Sequence, residues 1–201
     1  MSKGVLITIA VLAVIAFAVI GLVGKYNAVV GQQEDVEGQW GNVQNVYQRR
    51  ADLIPNLVET VKGYAAHERE TLEAVINARA RATQVSAEIT PETLNDPQFL
   101  QQFQQAQDGL SQALGRLMVV IERYPDLKAN QNFLELQNQL EGTENRIAVE
   151  RRRFNDMARD YNTTIRRFPT NLVAGMFGFE KRAYFEAAGG AEQAPAVNFG
   201  E

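Results

Sequence analysis

The residue types that carry out nucleophilic, redox or metal chemistry are scarce in this sequence. It has no Cys and one His, His67, which stands close to Glu68 and Glu70. Without Cys there is no thiol nucleophile and no thiolate metal site, and one His cannot form a multi-His site. A di-iron carboxylate bundle needs two Glu-x-x-His pairs, and the sequence contains none. We therefore predict no catalytic, cofactor or metal site, and interpret His67 as a surface residue of a charged helix.

Charge is the next source of chemistry. The chain has 20 Lys and Arg against 24 Asp and Glu, a net charge of -4. This acidic balance argues against nucleic acid as a partner. Residues 146–167 nevertheless contain seven Arg against Glu150, Asp156 and Asp160. They fit either a patch for anionic lipid or nucleic acid, or a solvated helix face. Their position beside the apolar heptad stripe favours the solvated face.

Two charged residues interrupt the apolar stripes and are the candidate site residues. Arg50 falls on the core-facing phase between Tyr47 and Ile54, and Glu150 falls on that of a later helix. Since a buried charge requires a partner, we expect each to meet an opposite charge inside the bundle. The simplest arrangement pairs them with each other, and the alternative partners are Asp52, Glu144 or another Arg. Their predicted role is structural, as polar core residues that fix helix register.

The N-terminus defines the broad class of protein. Residues 4–24 contain no charge, and as a helix they measure roughly 30 Å, the thickness of a bilayer core. A cleaved signal peptide is the alternative, but its apolar region is shorter, about 7–15 residues, and ends in a small-residue cleavage site. We predict a retained single-pass anchor at residues 1–24 that contacts the lipid bilayer. Lys3 before the apolar run and Lys25 after it put one positive charge on each side, so these charges do not set the orientation. The short N-terminal head with its Lys fits a signal anchor, which leaves the head in the cytoplasm and exports the bulk domain to the periplasm.

The rest of the chain shows helical periodicity and predicts an all-α fold. Apolar steps of four and three predict a long first helix over 26–88, kinked near Pro55 or divided there into two collinear pieces. Two further long helices are predicted over 97–123 and from about 130 to Pro169. The apolar stripe of the first runs from Phe99 to Tyr124, and its glutamines, Gln107 among them, are assigned to a solvated face. The apolar stripe of the second repeats every seven residues from Phe133 to Phe168. Their short connections predict antiparallel neighbours. The expected architecture is an N-terminal transmembrane helix followed by an elongated up-and-down bundle of coiled-coil type.

The segment after Pro169 is rich in aromatic residues and too apolar to remain in solvent. It either folds back over one end of the bundle, as a short helix or an irregular cap, or forms a docking surface for a partner, a second copy or the membrane interface. Residues 188–201, with their Gly, Ala and Pro, are predicted to be a flexible tail. The expected domains are the anchor at 1–24, the bundle at 25–187 and this tail.

Several motifs together resemble the bacterial LemA family. They are RRADLIPNLV at 49–58, VKGY at 61–64, YPDLKAN at 124–130, LELQ at 134–137, ENRIA at 144–148, YN at 161–162 and FP at 168–169. The resemblance covers about residues 25–199. It implies a single-pass bacterial membrane protein with a bromodomain-like four-helix topology. It also implies suspected scaffold roles in the envelope, or in membrane remodelling in magnetosome-forming relatives, and it supplies no catalytic residues.

From these features we predict a membrane-anchored, non-catalytic scaffold or interaction protein at the bacterial inner membrane. We expect it to form a homo-oligomer, and a membrane-protein partner of unknown identity is left open. The alternative function is an accessory or regulatory subunit of a membrane protease or hydrolase. The two functions predict different purified assemblies. A scaffold is purified as a homo-oligomer, whereas an accessory subunit is purified with a stoichiometric second polypeptide.

Overall fold

The computed structural model describes residues 2–90 and 92–186, and every regular element in these ranges is helical. The predicted tail at 188–201 lies outside the described residues. Four long helices and two short ones follow one another along the chain. They are α1 Lys3–Lys62, α2 Arg69–Ala87, α3 Pro97–Ile121, α4 Pro125–Lys128, α5 Gln131–Arg166 and α6 Thr170–Phe177, with a 3₁₀ turn at Thr93–Asn95. The all-α prediction is confirmed.

Helix α1 is a single element that contains both the apolar N-terminal run and one side of the bundle. It has 60 residues, which corresponds to about 90 Å. The side chains of residues 4–24 are exposed, whereas one face is buried against the bundle from Val29 to Val61. No linker separates the apolar run from the bundle.

The end of α1 differs from the prediction of one helix or two collinear pieces over 26–88. The helix continues through Pro55 and ends at Lys62, and the chain then turns through residues 63–68. Helix α2 returns antiparallel to α1, so that Arg79 on α2 contacts Ala51 on α1. The reversal follows Gly63, and the last buried member of the α1 stripe is Val61, since Tyr64 is 46% exposed.

Local sequence signals set the starts of α3 and α5. The Asp96 carboxylate accepts a hydrogen bond from the Gln98 N–H at 2.8 Å, and Pro97 occupies the first turn of α3. The Asn130 side-chain oxygen accepts from the Phe133 N–H at 3.0 Å at the start of α5. Both are N-caps, which satisfy donors that the first turn of a helix leaves unpaired. Together α1, α2, α3 and α5 form an antiparallel four-helix bundle, in which α1 packs mainly on α5 and α2 mainly on α3.

The core divides into two clusters along the bundle. The distal cluster is mainly aliphatic and includes Ile54, Leu57, Val75, Leu117 and Leu140. The proximal cluster, nearer the apolar run, is aromatic and includes Trp40, Tyr47, Phe103, Phe154 and Phe185. Every buried hydrophobic residue in the described ranges lies at or after Val29. The apolar run therefore contributes nothing to the core of the bundle.

Some heptad positions behave differently from the prediction. On α5 the sevenfold series is buried from Phe133 to Tyr161, but Phe168 lies beyond the end of the helix and is 80% exposed. On α3 the predicted stripe member Phe99 is only half-buried, whereas Leu100 and Gln107 are buried. The buried face of α3 is shifted because this helix packs on α2 and also closes over Arg50 of α1.

Candidate functional site

Arg50 is the largest fully buried side chain in the described residues, at 1% exposure. Its Nη1 donates to Glu144 Oε1 at 2.7 Å and to Ser111 Oγ at 2.9 Å. Its Nη2 donates to the Gln107 carbonyl oxygen at 3.3 Å and to the Gln107 side-chain oxygen. The guanidinium carbon also lies 5.2 Å from the centre of the Tyr47 ring, a cation–π contact. A buried cation is thus paired and hydrogen-bonded, as its burial requires.

The Arg50 cluster connects all four long helices. Gln107 is itself buried, and its side-chain nitrogen donates to Ser86 Oγ at 3.1 Å and to the Ala82 carbonyl at 3.4 Å, both on α2. Arg50 comes from α1, Gln107 from α3 and Glu144 from α5. The sequence placed Gln107 among solvent-facing glutamines, so its role was missed. The available signal was its position one turn after Phe103, on the same face of α3.

Glu150 lies apart from Arg50. Its Oε2 accepts from Gln39 Nε2 at 2.7 Å, its Oε1 accepts from Arg153 Nη1 at 3.0 Å, and its side chain is 16% exposed. The simplest expected arrangement, a direct pair of Arg50 and Glu150, is therefore not the one found. The antiparallel register of α1 and α5 places Arg50 beside Glu144, and Gln39, about three turns earlier on α1, beside Glu150.

A second buried arginine, Arg182, holds the chain after α6 against the bundle. Its Nη1 donates to Asn95 Oδ1 at 2.8 Å, and its Nη2 pairs with Glu37. The Asn162 side chain bonds both backbone groups of Arg182: its oxygen accepts from the N–H at 2.9 Å and its amide donates to the carbonyl at 2.8 Å. The sequence analysis missed this cluster, because it depends on an irregular segment returning to α5, which periodicity does not predict.

The returning segment delivers Phe185 into the aromatic cluster. Its ring stacks on Trp40 at 5.8 Å between centres and meets Phe154 edge-on at 5.5 Å. The Arg151 guanidinium lies 4.6 Å from the centre of the Phe185 ring. Burial in the same cluster raises the pKa of Tyr47, an effect that the nearby Arg151 and Arg50 oppose. The end of the C-terminal aromatic stretch therefore packs on the bundle through Phe185, as the expected cap would, whereas Phe168, Met176 and Phe177 stay exposed.

Other candidates from the sequence form no reactive constellation in the described residues. His67 is exposed, as predicted. It lies in the turn between α1 and α2, however, and not in the charged helix that the sequence predicted. No three His, Asp or Glu side chains are grouped so as to hold a metal within residues 2–90 and 92–186. On the Arg-rich face of α5, Arg159 pairs with Asp156 at 3.0 Å, an exposed pair on one helix. The buried side chains of Arg50, Gln107, Asn162 and Arg182 are hydrogen-bonded to other elements of the fold and stabilise it.

The fold and these clusters define an all-α bundle carried by one long N-terminal helix that is apolar enough to cross a membrane. Only α1 meets that criterion of length and composition in the described part of the chain, and none of its most apolar segment is buried. The sequence model of the LemA family matches residues 39–199. The chain belongs to the LemA family, as its motifs predicted.

The proteins similar to this chain include magnetosome proteins and a LemA protein. The chain is 29% identical to Magnetosome protein MamQ 2 of Paramagnetospirillum magneticum, over 90% of this chain and 71% of that protein. It is also 29% identical to Magnetosome protein MamQ of Magnetospirillum gryphiswaldense, with the same shares covered. Protein LemA of Metamycoplasma hominis is 24% identical, over 83% of this chain and 71% of that protein. The family and these relatives are not named for an enzymatic activity.

Proposed function

We propose that this protein is a membrane-anchored, non-catalytic scaffold of the bacterial envelope that self-associates. The observation that carries the proposal is the continuity of α1, which runs without interruption from the exposed apolar residues 4–24 into the bundle core. An anchor joined to its domain by helix, with no flexible linker, holds that domain at a fixed height and angle. Fixed presentation of a surface is what a scaffold requires.

The polar interior supports a structural role. Buried charges are costly unless paired, and both buried arginines are tied to carboxylates and amides contributed by several helices. Such clusters specify helix register in a bundle. Substrate turnover requires groups that are accessible and poised to react, whereas these groups are occupied in holding α1, α3 and α5 together.

The apolar helix and the magnetosome relatives both fit a membrane location. Beyond that we propose the inner membrane, with the bundle on the periplasmic side. Support for this side is Lys3, which precedes the apolar run and fits the positive flank that a signal anchor keeps in the cytoplasm. A cysteine-reactive, membrane-impermeant label on a Val119→Cys variant in whole cells tests the side, because Val119 is exposed and the chain has no other Cys.

The central test of the function is the composition of the native assembly. The full-length protein is extracted with a membrane-solubilising polymer, without detergent, and its mass is measured against a 22.4 kDa protomer. The proposal predicts a homo-oligomer that contains this polypeptide only. A stoichiometric second polypeptide would favour the accessory-subunit alternative, and a monomer alone would contradict self-association.

A further inference from the structure

We propose that α6, with Phe168 just before it, lies in the membrane interface and inserts its apolar face into the lipid beside α1. This inference rests on the membrane anchor and not on self-association. It assigns a partner, the acyl-chain and headgroup boundary of the bilayer, to a surface of the bundle that the fold leaves uncovered.

The surface is apolar and strongly exposed. Phe168 is 80% exposed, Met176 74%, Phe177 59% and Leu172 53%. Four large apolar side chains thus reach the surface within ten residues of the sequence. Single exposed apolar residues are ordinary in a soluble domain, but a grouped set on one element marks a contact surface.

The position of α6 relative to the anchor identifies the partner. Val173, Met176 and Phe177 line an apolar crevice together with Val19, Leu22, Val23 and Tyr26 of α1. Val19 lies five residues before the end of the charge-free run, a depth of about 8 Å along the helix. Interfacial helices bury their apolar face to about 5–10 Å, so α6 lies at the depth that such helices occupy.

The flanking residues suit the same boundary. Tyr26 packs on Phe177 with ring centres 4.7 Å apart, at the point where the charge-free run ends, which is the usual position of interfacial tyrosines. Lys25, Arg167 and Lys181 are exposed on either side of this region. Basic residues beside an apolar interfacial helix are attracted to anionic headgroups.

The opposite face of α6 holds the helix in place. Thr170 and Ala174 are buried, and Ala174 belongs to the proximal core cluster. At the C-terminus Gly178 adopts a positive φ of 73°, a conformation that favours glycine, and the Phe179 N–H donates to the Ala174 carbonyl at 3.0 Å. The outer face of α6 is thereby fixed beside residues that the anchor places in lipid. A protein partner would have to displace lipid from α1 as well, which is why lipid is the occupant we propose.

The test uses fluorescence of the full-length protein in vesicles of phosphatidylcholine and phosphatidylglycerol that contain brominated acyl chains. Because the chain lacks Cys, an environment-sensitive dye can be attached at one introduced cysteine. The test positions are Met176→Cys and Leu172→Cys. Val14→Cys, 68% exposed within the apolar run, is the control inside the bilayer, and Val119→Cys, 72% exposed on α3, is the matched control outside it.

We expect lipid quenching at 172 and 176 to be at least about fivefold stronger than at 119, and strongest with bromines near the headgroup, as for an interfacial helix. Quenching at 176 equal to that at 119, while position 14 is quenched, would overturn the inference and leave the anchor intact. A label at 176 that is shielded from lipid, with a signal that changes with the protein-to-lipid ratio, would overturn it in favour of a second copy. If position 14 is also unquenched, the anchor itself is contradicted. Unchanged helical circular dichroism verifies that each variant is folded.

Discussion

The Nε atom of Arg79 lies 2.7 Å from the carbonyl oxygen of Ala51 and donates a hydrogen bond to it. Ala51 is four residues before Pro55, so its carbonyl is the one that loses its helical partner to the proline, which has no N–H. Ala51 is buried, and an unpaired buried carbonyl is unfavourable. The side chain of Arg79 on α2 therefore replaces the missing backbone donor, which explains how α1 continues through Pro55.

This relationship predicts a specific energetic coupling. Replacing Arg79 by Met keeps the aliphatic stem and removes the donor, so we expect the free energy of unfolding to fall by about 1–3 kcal/mol. In a Pro55→Ala variant, the N–H of residue 55 can donate to the Ala51 carbonyl and restore the backbone hydrogen bond of the helix. Arg79→Met should then lower the free energy of unfolding by less than about 0.5 kcal/mol, as ordinary surface substitutions do. Chemical unfolding of the four variants of this cycle, followed by circular dichroism, measures the coupling.

Arg81→Met is the control, since Arg81 is exposed on the same helix and should change stability by less than about 0.5 kcal/mol. Equal costs of Arg79→Met with and without Pro55 would show that the Ala51 carbonyl does not depend on Arg79.

Much of the fold was predictable because it rests on periodicity and capping. The stripe from Val36 to Val61, the Asp96-Pro97 start of α3 and the Asn130 start of α5 follow from the spacing of apolar residues and from local hydrogen bonds. The position of Arg50 on the core-facing phase of α1 was equally visible in the sequence.

The remaining features depend on contacts between distant segments. The reversal at residues 63–68 was hidden because apolar residues such as Leu72 and Val75 continue beyond it and Pro55 offered a stronger breaking signal. The partners Glu144 and Gln107 of Arg50 depend on the register of α1 against α5 and α3. The bonds between Asn162 and Arg182 depend on where an irregular segment returns to the bundle.

The identity of the Arg50 partner leads to a second prediction. In double-mutant cycles Arg50→Ala should couple to Glu144→Ala by more than about 0.5 kcal/mol, whereas Arg50→Ala and Glu150→Ala should be additive. Removal of Glu144 leaves a buried guanidinium without its counter-charge, which lowers the free energy of unfolding by at most about 3–5 kcal/mol. The cost should be below that bound, because the Glu144 side chain is 42% exposed and water already screens the pair. Denaturant unfolding of each variant gives the costs. Coupling to Glu150 in place of Glu144 would contradict the register of α1 and α5.

Asn162 gives a third prediction, about the segment that follows α6. Asn162→Leu removes both backbone bonds to Arg182 and should loosen residues 179–186 without unfolding the four helices. Phe185 then moves away from Trp40, which becomes more exposed to water. Because Trp40 is the only tryptophan of the chain, the tryptophan fluorescence of the protein should shift to longer wavelength. Hydrogen exchange should rise in the same residues. Lys181→Met, which alters an exposed neighbour, is the control and should change neither signal; an unshifted Trp40 emission in Asn162→Leu would contradict the role of this contact.

A fourth prediction concerns removal of residues 1–24. Since every buried hydrophobic residue in the described ranges lies at or after Val29, the shortened chain should remain folded, helical and soluble. Circular dichroism should show a cooperative thermal transition, and size-exclusion chromatography a discrete species. An aggregated product, or one that has lost its helical signal, would show that the bundle requires its anchor in order to fold.

The most direct test of the account measures whether anchor and bundle form one rigid helix. Spin labels at Ile15→Cys and Gln48→Cys, both exposed on α1, are 33 residues apart, which corresponds to about 50 Å in a continuous helix. Electron–electron double resonance is recorded in lipid nanodiscs, with labelled protein diluted by unlabelled protein so that each distance arises within one chain. A narrow distribution near that distance is the predicted result. A broad or much shorter distribution would reveal a hinge between membrane and bundle and would contradict the rigid scaffold.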